Sequence, residues 1–424
     1  MADAPGSGWA DRLTSSVDAA RSPDFRRFFV GQLLSTVGTW LQTLALGLLV
    51  LDLTGSAGAL GGITAVQFLP ALLLGVGAGT LLDRVDLRRF IIGNAVVAGV
   101  LAAGLGIALA LGPVPPAAVI AVTFALGTCQ ALERPAALAF LPRLVDADAL
   151  PSAIGLHGTT SAAGRLAGPA LGGLLYATAG PAVCFMANGA SYLVVIATAI
   201  AIRPTRSAPA GDPATGRRMV SLAEGFRHAW ARPPLREVLV LNAVVGLLGM
   251  NFAVTVPAMV QLTFGGDATA VGIAHSLNAV GAVIGGVASA AVLRDTRRGL
   301  AVVCALLAAS LIALAVAPTL TAFLWASPAF GILLALYQTN SQRIVQRAAD
   351  PVVLGQMMSL VVLGTVGTTP LGSLLVGWLT DVAGARSGMA LGAVGFGLAA
   401  AALVVAARVV GPTRPREQQG CTSS

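Results

Sequence analysis

The chain has 424 residues, of which 56% are hydrophobic and only 10% are charged, and its formal net charge is +8. So low a charged fraction excludes a soluble globular protein and indicates a chain that crosses a lipid bilayer several times. All 26 basic residues are arginine. This excludes a phosphate-binding loop ending in Gly-Lys and a Schiff-base lysine, and with them an ATP-driven motor or a retinal pump within this chain.

Twelve segments are apolar enough to cross the hydrocarbon core, which takes about 20 residues. The predicted fold is therefore an all-α polytopic membrane protein with twelve transmembrane helices. Only Arg386 falls in a loop opposite the N-terminus, two arginines lie inside spans, and every other arginine lies on the side of the N-terminus. Because arginine-rich loops stay in the cytoplasm, both termini are predicted to be cytoplasmic. The predicted spans, one to twelve, are 28–52, 57–82, 90–111, 117–142, 151–178, 181–202, 236–262, 268–293, 299–317, 319–342, 352–380 and 386–408.

A polar linker divides these spans into two groups of six. Within it, residues 221–234 predict a surface helix whose Phe226 and Trp230 face the membrane. The predicted organisation is a cytoplasmic N-terminal segment (1–27), a first six-helix bundle (28–202), a cytoplasmic linker (203–235), a second six-helix bundle (236–408) and a cytoplasmic tail (409–424).

The hairpin between spans two and three has the sequence GTLLDRVDLRR (79–89). Asp83 and Arg84 fall at the cytoplasmic end of span two, where a carboxylate can cap the next helix or pair with arginines. On its residues alone, the hairpin is either a solvated turn or a weak latch of exposed ion pairs, each of about 0–1 kcal/mol.

Span four contains Glu133, the only acidic residue predicted to lie deep inside a span. A charge at the bilayer centre costs roughly 2.5–3.5 kcal/mol on insertion scales, so this residue needs a partner or a task. Arg165 of span five or the adjacent Arg134 could form a structural ion pair with it. Alternatively, Glu133 carries a proton across the membrane or binds a cationic group, and motion of Arg165 switches its affinity for the proton.

Span five reads GLHGTTSAAGRLAGPALGG (155–173). Gly164, Gly168 and Gly172 recur every fourth residue and form one smooth stripe that permits close backbone packing, and Pro169 permits a bend. The stripe is an ordinary tight helix contact, or it meets its repeat partner (355–372) and forms the seam between the two halves; both can hold.

The two halves repeat each other in the same orientation. Gly155, Gly164, Leu171 and Gly172 each recur 200 residues later, and chance apolar similarity would not keep glycines in step. Two like-oriented halves are the parallel repeat that rocks about a site at the bilayer midplane.

Polar side chains in the spans could line a central cavity. Span ten has the densest polar face, YQTNSQRIVQR (337–347), and each such side chain either bonds across helices or contacts a substrate. His157 and His275 are isolated and are interpreted as structural. The predicted cavity residues are Gln42, Asn242, Asn251, Asn278, Tyr337, Gln338, Asn340 and Gln342.

These features resemble the major facilitator superfamily over nearly the whole chain. The hairpin is similar to the superfamily's loop motif, G-x-L-a-D-r-x-G-r-k, with Asp86 where glycine is usual, and the resemblance favours the latch. The resemblance therefore implies a cytoplasmic gate motif consisting of Gly79, Asp83, Arg84, Asp86, Arg88 and Arg89.

Span five resembles the fifth-helix motif of proton-driven exporters, G-x8-G-x3-G-P-x2-G-G, which goes with export in the family. Stretches such as GQLLSTVGTWLQ (31–42) and LERPAALAFLPRLV (132–145) are similar to the twelve-span branch that includes the enterobactin exporter and drug efflux proteins. Thr123 stands where drug–proton antiporters usually carry an arginine, so their coupling scheme does not transfer. The motif residues are Gly155, Gly164, Gly168, Pro169, Gly172 and Gly173.

The resemblance implies a secondary active transporter of the bacterial plasma membrane that exports a small amphipathic molecule in exchange for protons. A drug, a siderophore or a natural product fits this expectation. An importer or uniporter of the same fold and a receptor or assembly protein without transport are the alternatives. No catalytic set or metal cluster stands out, so we predict no enzyme, cofactor, nucleotide or nucleic-acid partner. The expected partners are the small molecule, protons and the lipid bilayer, and the expected state is a monomer.

Overall fold

A computed structural model describes residues 18–74, 82, 85–202, 222–292, 297–350 and 353–409. Within these ranges, eleven helical stretches are long and apolar enough to cross a membrane. One of them contains the 52-residue helix Leu150–Ala201, which bends at Gly180. A helix of that length would measure ~78 Å, so it makes two crossings of a core about 30 Å thick. The described chain thus has twelve spans, and the predicted all-α polytopic fold is confirmed.

We number the spans α1 to α12 and call the short helix Leu222–Ala231 the linker helix. Breaks at residues 249–251 and 367–368 interrupt α7 and α11 without ending either span. The spans are α1 Pro23–Thr54, α2 Ala57–Leu74, α3 Leu87–Leu111, α4 Pro116–Phe140, α5 150–179, α6 181–201, α7 Pro233–Thr263, α8 Ala268–Val292, α9 Arg297–Ala315, α10 Leu320–Ala348, α11 Leu354–Ala383 and α12 Ala385–Val409.

Local sequence signals fix the ends of several spans. The Ser22 hydroxyl accepts a hydrogen bond from the backbone N–H of Phe25, and Pro23 opens α1. Such a cap satisfies a donor that the first helical turn leaves unpaired. Gly55 ends α1 in the left-handed conformation, which glycine adopts without steric cost.

The same packing pairs build both halves. In the first half α1 packs against α5 and α6, α2 against α4, and α3 against α6. In the second half the corresponding pairs are α7 with α11 and α12, α8 with α10, and α9 with α12. The two six-helix bundles are therefore repeats in structure as well as in sequence.

Because the spans alternate in direction, the bundle has two faces. We call the face that holds residues 18–22, the linker helix and the end of α10 the terminal face. The opposite face, which holds residues 55–56, Gly180 and residues 316–319, is the far face. The predicted surface helix is present as the linker helix, with Phe226 and Trp230 about half exposed and their rings 5.2 Å apart.

Candidate transport pathway

The two halves meet in a first seam between α5 and α8. A Cβ atom added at Gly173 would collide with the backbone of Ala268. Next to this contact, the Ser276 hydroxyl of α8 donates a hydrogen bond to the Leu166 carbonyl of α5, with 2.7 Å between the oxygens. These residues lie in the half of the helix bundle nearer the far face.

A second seam joins α2 to α11 near the same face. A Cβ atom added at Gly61 would collide with the backbone of Ser373, and one at Gly377 with that of Ala57. Glycine against backbone gives the closest approach that two helices in a membrane can make.

Asp381, near the end of α11, caps the first turn of α2 across the second seam. Its carboxylate accepts hydrogen bonds from the backbone N–H groups of Ala57 at 2.7 Å and Gly58 at 2.9 Å. The Ser56 hydroxyl donates a third at 2.6 Å. Since the N-terminus of a helix carries partial positive charge, the carboxylate stabilises contact between the two halves.

Asp52 of α1 makes a similar link on the far face. It accepts hydrogen bonds from the Tyr176 hydroxyl at 2.6 Å and the Gln261 amide at 3.2 Å. Gln261 belongs to the second half, so this carboxylate also bridges the seam. Neither aspartate is among the predicted site residues, although an acidic residue at the end of a span, on a face poor in charge, is a signal visible in the sequence.

On the terminal face, the described part of the gate motif ties α3 to α6. Arg88 donates hydrogen bonds to the carbonyls of Ala199 at 2.9 Å and Ile200 at 2.6 Å. Its positive charge stabilises the negative C-terminal end of α6. Asp86 caps α3 by accepting a hydrogen bond from the backbone N–H of Arg89 at 2.9 Å. Gly79, Asp83 and Arg84 lie outside the described residues.

The linker helix is tied to the end of α10. Arg232 donates two hydrogen bonds to the Asp350 carboxylate, at 3.0 and 2.6 Å, and one to the Ala348 carbonyl at 3.0 Å. Hydrogen bonds and charge from Arg232, with His228 at 3.6 Å, hold the pKa of Asp350 below its ordinary value. The described linker is thus anchored to the second half.

The glycine stripe of α5 packs inside its own half. Cβ atoms added at Gly164 and Gly168 would collide with Trp40 of α1, and Gly372 likewise packs against α7. The prediction that this stripe meets its repeat partner to form the seam is therefore wrong. Since a helical turn takes 3.6 residues, Gly173 points about 100° away from Gly172 and the stripe. Gly173, and not the stripe, therefore makes the contact between the two halves.

Two other residues of the exporter motif lie apart from the stripe. The Pro169 carbonyl faces Gly272 of α8, beside the first seam. Gly155, near the terminal face, has open space where a Cβ would lie.

Glu133 lies in the interior of the first half. It lines a small cavity with Gln32 of α1, Asn94 of α3 and Tyr192 of α6. In the described part of the chain no ion pair includes Glu133. The structure therefore does not join it to either arginine in this conformation.

The two span arginines lie on an exposed surface instead. Arg165 is exposed, and its Nε donates to the Ser161 carbonyl at 3.3 Å. Arg134 is exposed as well. The charge of Arg134 acts on the guanidinium of Arg165, whereas Glu133 forms no ion pair with either arginine.

Several predicted cavity residues are buried and bonded within one half. Gln42 accepts a hydrogen bond from the Asn188 amide at 2.7 Å. Asn242 donates to the Ser341 hydroxyl at 2.8 Å and accepts from the Tyr337 hydroxyl at 3.1 Å. In this conformation these groups connect helices.

The other predicted cavity residues differ in exposure. Asn251 and Asn340 are buried. The carbonyl oxygen of Asn251 and both polar side-chain atoms of Asn340 have no hydrogen-bond partner among the residues that the structure describes. Asn278 and Gln338 are partly exposed, and Gln342 is exposed. Contact with a substrate stays a prediction for all eight residues.

Comparison with protein families gives a match over almost the whole chain. The family described as "Transmembrane secretion effector" matches residues 14–419. The staphyloferrin A transporter of Staphylococcus aureus is 24% identical over 261 residues, which cover 61% of this chain and 64% of that protein. The enterobactin exporter of Escherichia coli O1:K1 is 28% identical over 396 residues, with 89% of each chain covered.

Solved transporters share the fold. A bacterial homologue of the human lysosomal transporter Spinster superposes with a TM-score of 0.74, at 15% identity, over 92% of this chain and 97% of that chain. A bacterial homologue of the iron transporter ferroportin gives a TM-score of 0.70 at 15% identity, with 90% of this chain and 98% of that chain covered. At these identities the likeness concerns the fold alone.

Proposed function

Because the chain belongs to the transmembrane secretion effector family of major facilitator transporters, we propose that it exports a small amphipathic molecule from the bacterial cytoplasm in exchange for protons. That it is a membrane transporter of small molecules and not an enzyme follows from the family. Export, the proton and action as a monomer are the proposed parts. The names of the staphyloferrin A transporter and the enterobactin exporter support a siderophore as cargo, and a drug or another natural product is the alternative.

The orientation follows from the arginines. Of the arginines in the described part of the chain, only Arg134, Arg165 and Arg386 lie away from the terminal face, and we therefore place that face in the cytoplasm of a bacterial plasma membrane. The described seams and the links through Asp52 and Asp381 lie at the far face, which would then be the outer one. A pathway closed there receives its cargo from the cytoplasm, as an exporter requires.

One observation carries the proposed proton coupling: Glu133 lies inside the first half with no ion pair among the described residues. An unpaired carboxylate in an apolar medium costs far more than the neutral acid. The carboxyl group can therefore hold a proton in this conformation and release it when rocking of the halves admits water or a cation. Each charge moved inward gains about 2.3 kcal/mol per 100 mV of membrane potential.

Transport into inverted membrane vesicles tests both parts. The probes are three naphthalene derivatives that carry a sulfonate, a sulfonamide or a methylammonium group. We expect the wild type to accumulate at least one of them when the vesicle interior is acidic. Glu133→Gln should lose accumulation driven by the gradient while keeping downhill exchange, and Glu133→Asp should retain part of the driven transport.

Two results would contradict this proposal. Gradient-driven flux with unchanged pH dependence in Glu133→Gln would remove the carboxyl group from the mechanism. Accumulation only in right-side-out vesicles would reverse the direction and favour an importer.

A further inference from the structure

Arg165 faces the space between the two halves. On α5, Gly164 and Gly168 pack against α1, whereas Pro169 and Gly173 face α8 of the second half. At 3.6 residues per turn, Arg165 falls between these two surfaces.

The lipid side of α5 lies on the opposite side of the helix. Leu171 and Leu174 are 45% and 50% exposed, and Leu174 is about half a turn around the axis from Arg165. The exposed guanidinium is therefore directed away from lipid, between the surface of α5 that packs on α1 and the surface that packs on α8.

Arg134 of α4 belongs to the same surface. It is exposed, and its charge reaches both Arg165 and His157 of α5. The His157 ring stacks on Phe28 of α1 with 6.3 Å between ring centroids. Arg134 of α4 and Arg165 of α5 thus form a pair of cationic side chains beside α1.

No described carboxylate neutralises this pair. Neither arginine takes part in an ion pair of the described chain. The neighbouring Glu133 points about 100° away around α4, into the cavity beside Tyr192. Asp52 and Asp381 are engaged at the far face. Two like charges near the middle of the bilayer repel each other and are costly to keep there without an anion.

We propose that Arg134 and Arg165 form the binding site for an anionic group, such as a carboxylate or a sulfonate, on the exported molecule. The planar guanidinium fork matches the oxygens of such a group in two parallel hydrogen bonds. Cargo binding would then neutralise the charges of the arginine pair before the halves move. The loaded protein therefore passes through its intermediate conformations with less buried charge. This inference rests on the proposed export function and names the chemical class of its cargo.

Equilibrium dialysis with the purified protein in phosphatidylcholine nanodiscs tests the site without any gradient. The three naphthalene probes share one ring system and differ in charge. We expect the wild type to bind the sulfonate about tenfold more tightly than the sulfonamide, the difference that one charge-assisted hydrogen bond makes. Arg165→Gln and Arg134→Gln should each weaken sulfonate binding and so remove most of its preference over the sulfonamide.

Two further variants serve as controls. Arg165→Lys keeps the charge and should restore part of the preference. Arg21→Gln removes a charge from the terminal face, where the Arg21 side chain is 80% exposed, and should bind all three probes like the wild type.

Equal binding of sulfonate and sulfonamide, no measurable sulfonate binding, or an undiminished preference in both glutamine variants would overturn the inference. Its failure is separable from that of the export proposal. A sulfonate preference in a protein that pumps no probe would leave the site in place and contradict export. Pumping of all three probes together with equal binding would support export and contradict the anion-binding site.

Discussion

At the scale of single residues, the absence of a side chain decides how close the halves come. Gly61 faces the backbone of Ser373 across the second seam, whereas the next residue, Gly62, has open space where its Cβ would lie. Two adjacent glycines of one helix therefore have different roles. The sequence alone predicts that glycines serve close packing, but not which of two neighbours does so.

Gly61→Ala should reduce transport because the new methyl group keeps α2 from closing on α11. Overpacking of this kind costs about 1–3 kcal/mol. Each 1.4 kcal/mol lowers the equilibrium constant for closing of this seam about tenfold. The measurement is flux together with the distance distribution between spin labels at Leu53 and Val382, both exposed on the far face. Gly62→Ala is the matched control and should behave like the wild type; equal effects of the two changes would contradict the assignment.

The link between the linker helix and α10 should depend on pH through Asp350. Its pKa is lowered in the folded protein, so the link is complete above the ordinary aspartate value, about 3.9, and is lost as the pH falls below it. A spin label in place of the exposed Arg227 should gain mobility as the pH falls below the ordinary aspartate pKa of about 3.9. Asp350→Asn should show the mobile spectrum at every pH, and a titration identical to that of the wild type would exclude this carboxylate as the cause.

At the scale of helices, span positions follow from the sequence but helix neighbours do not. All twelve predicted spans are present, because a run of apolar residues in lipid has few alternatives to a helix. Of the two interpretations of the glycine stripe of α5, the tight helix contact is present and the contact with residues 355–372 is not, since a single helix reveals which face is smooth but not which helix covers it. The similar depth of Glu133 and Arg165 makes an ion pair between them possible, whereas the structure directs Glu133 into the cavity beside Tyr192 and leaves Arg165 outside that cavity.

Gly180 makes the turn between α5 and α6, and its replacement should destabilise the protein. Its backbone, at φ 81° and ψ 176°, lies in a region open essentially only to glycine, and a residue with a side chain pays about 1–3 kcal/mol there. We expect Gly180→Ala to lower the unfolding temperature in detergent. Gly104→Ala, at a helical position of α3 with open space, should leave that temperature unchanged or raise it; equal losses would refute a conformational cause.

At the scale of the whole molecule, the repeat detected in the sequence predicts the architecture correctly. Each packing pair of the first half has its counterpart in the second. The partners across the seams and in the carboxylate links could not be predicted, because they lie far apart along the chain and share no local pattern. Asp381 and Ser56, which lie 2.6 Å apart in the structure, are an example.

A covalent link across the far face should stop transport reversibly. In a chain whose four native cysteines are replaced by alanine, Ser56→Cys combined with Asp381→Cys places two thiols where the side chains now touch. If the halves must part at this face in each cycle, oxidation should abolish flux and reduction should restore it. Oxidation should not change the flux of either single replacement. Full transport by the oxidised double variant would show that this face stays closed throughout the cycle.

The seams between the halves are made largely of glycine set against main-chain atoms, as at Gly61, Gly173 and Gly377. Glycine has no side chain whose conformational freedom could be lost, so little side-chain entropy changes when these surfaces come together or separate. Their attraction is short in range and falls away within a small separation. Reopening and reclosing can therefore proceed without a slow search for the right side-chain arrangement. The rate of the transport cycle would then be set by the binding and release of the proton and the cargo.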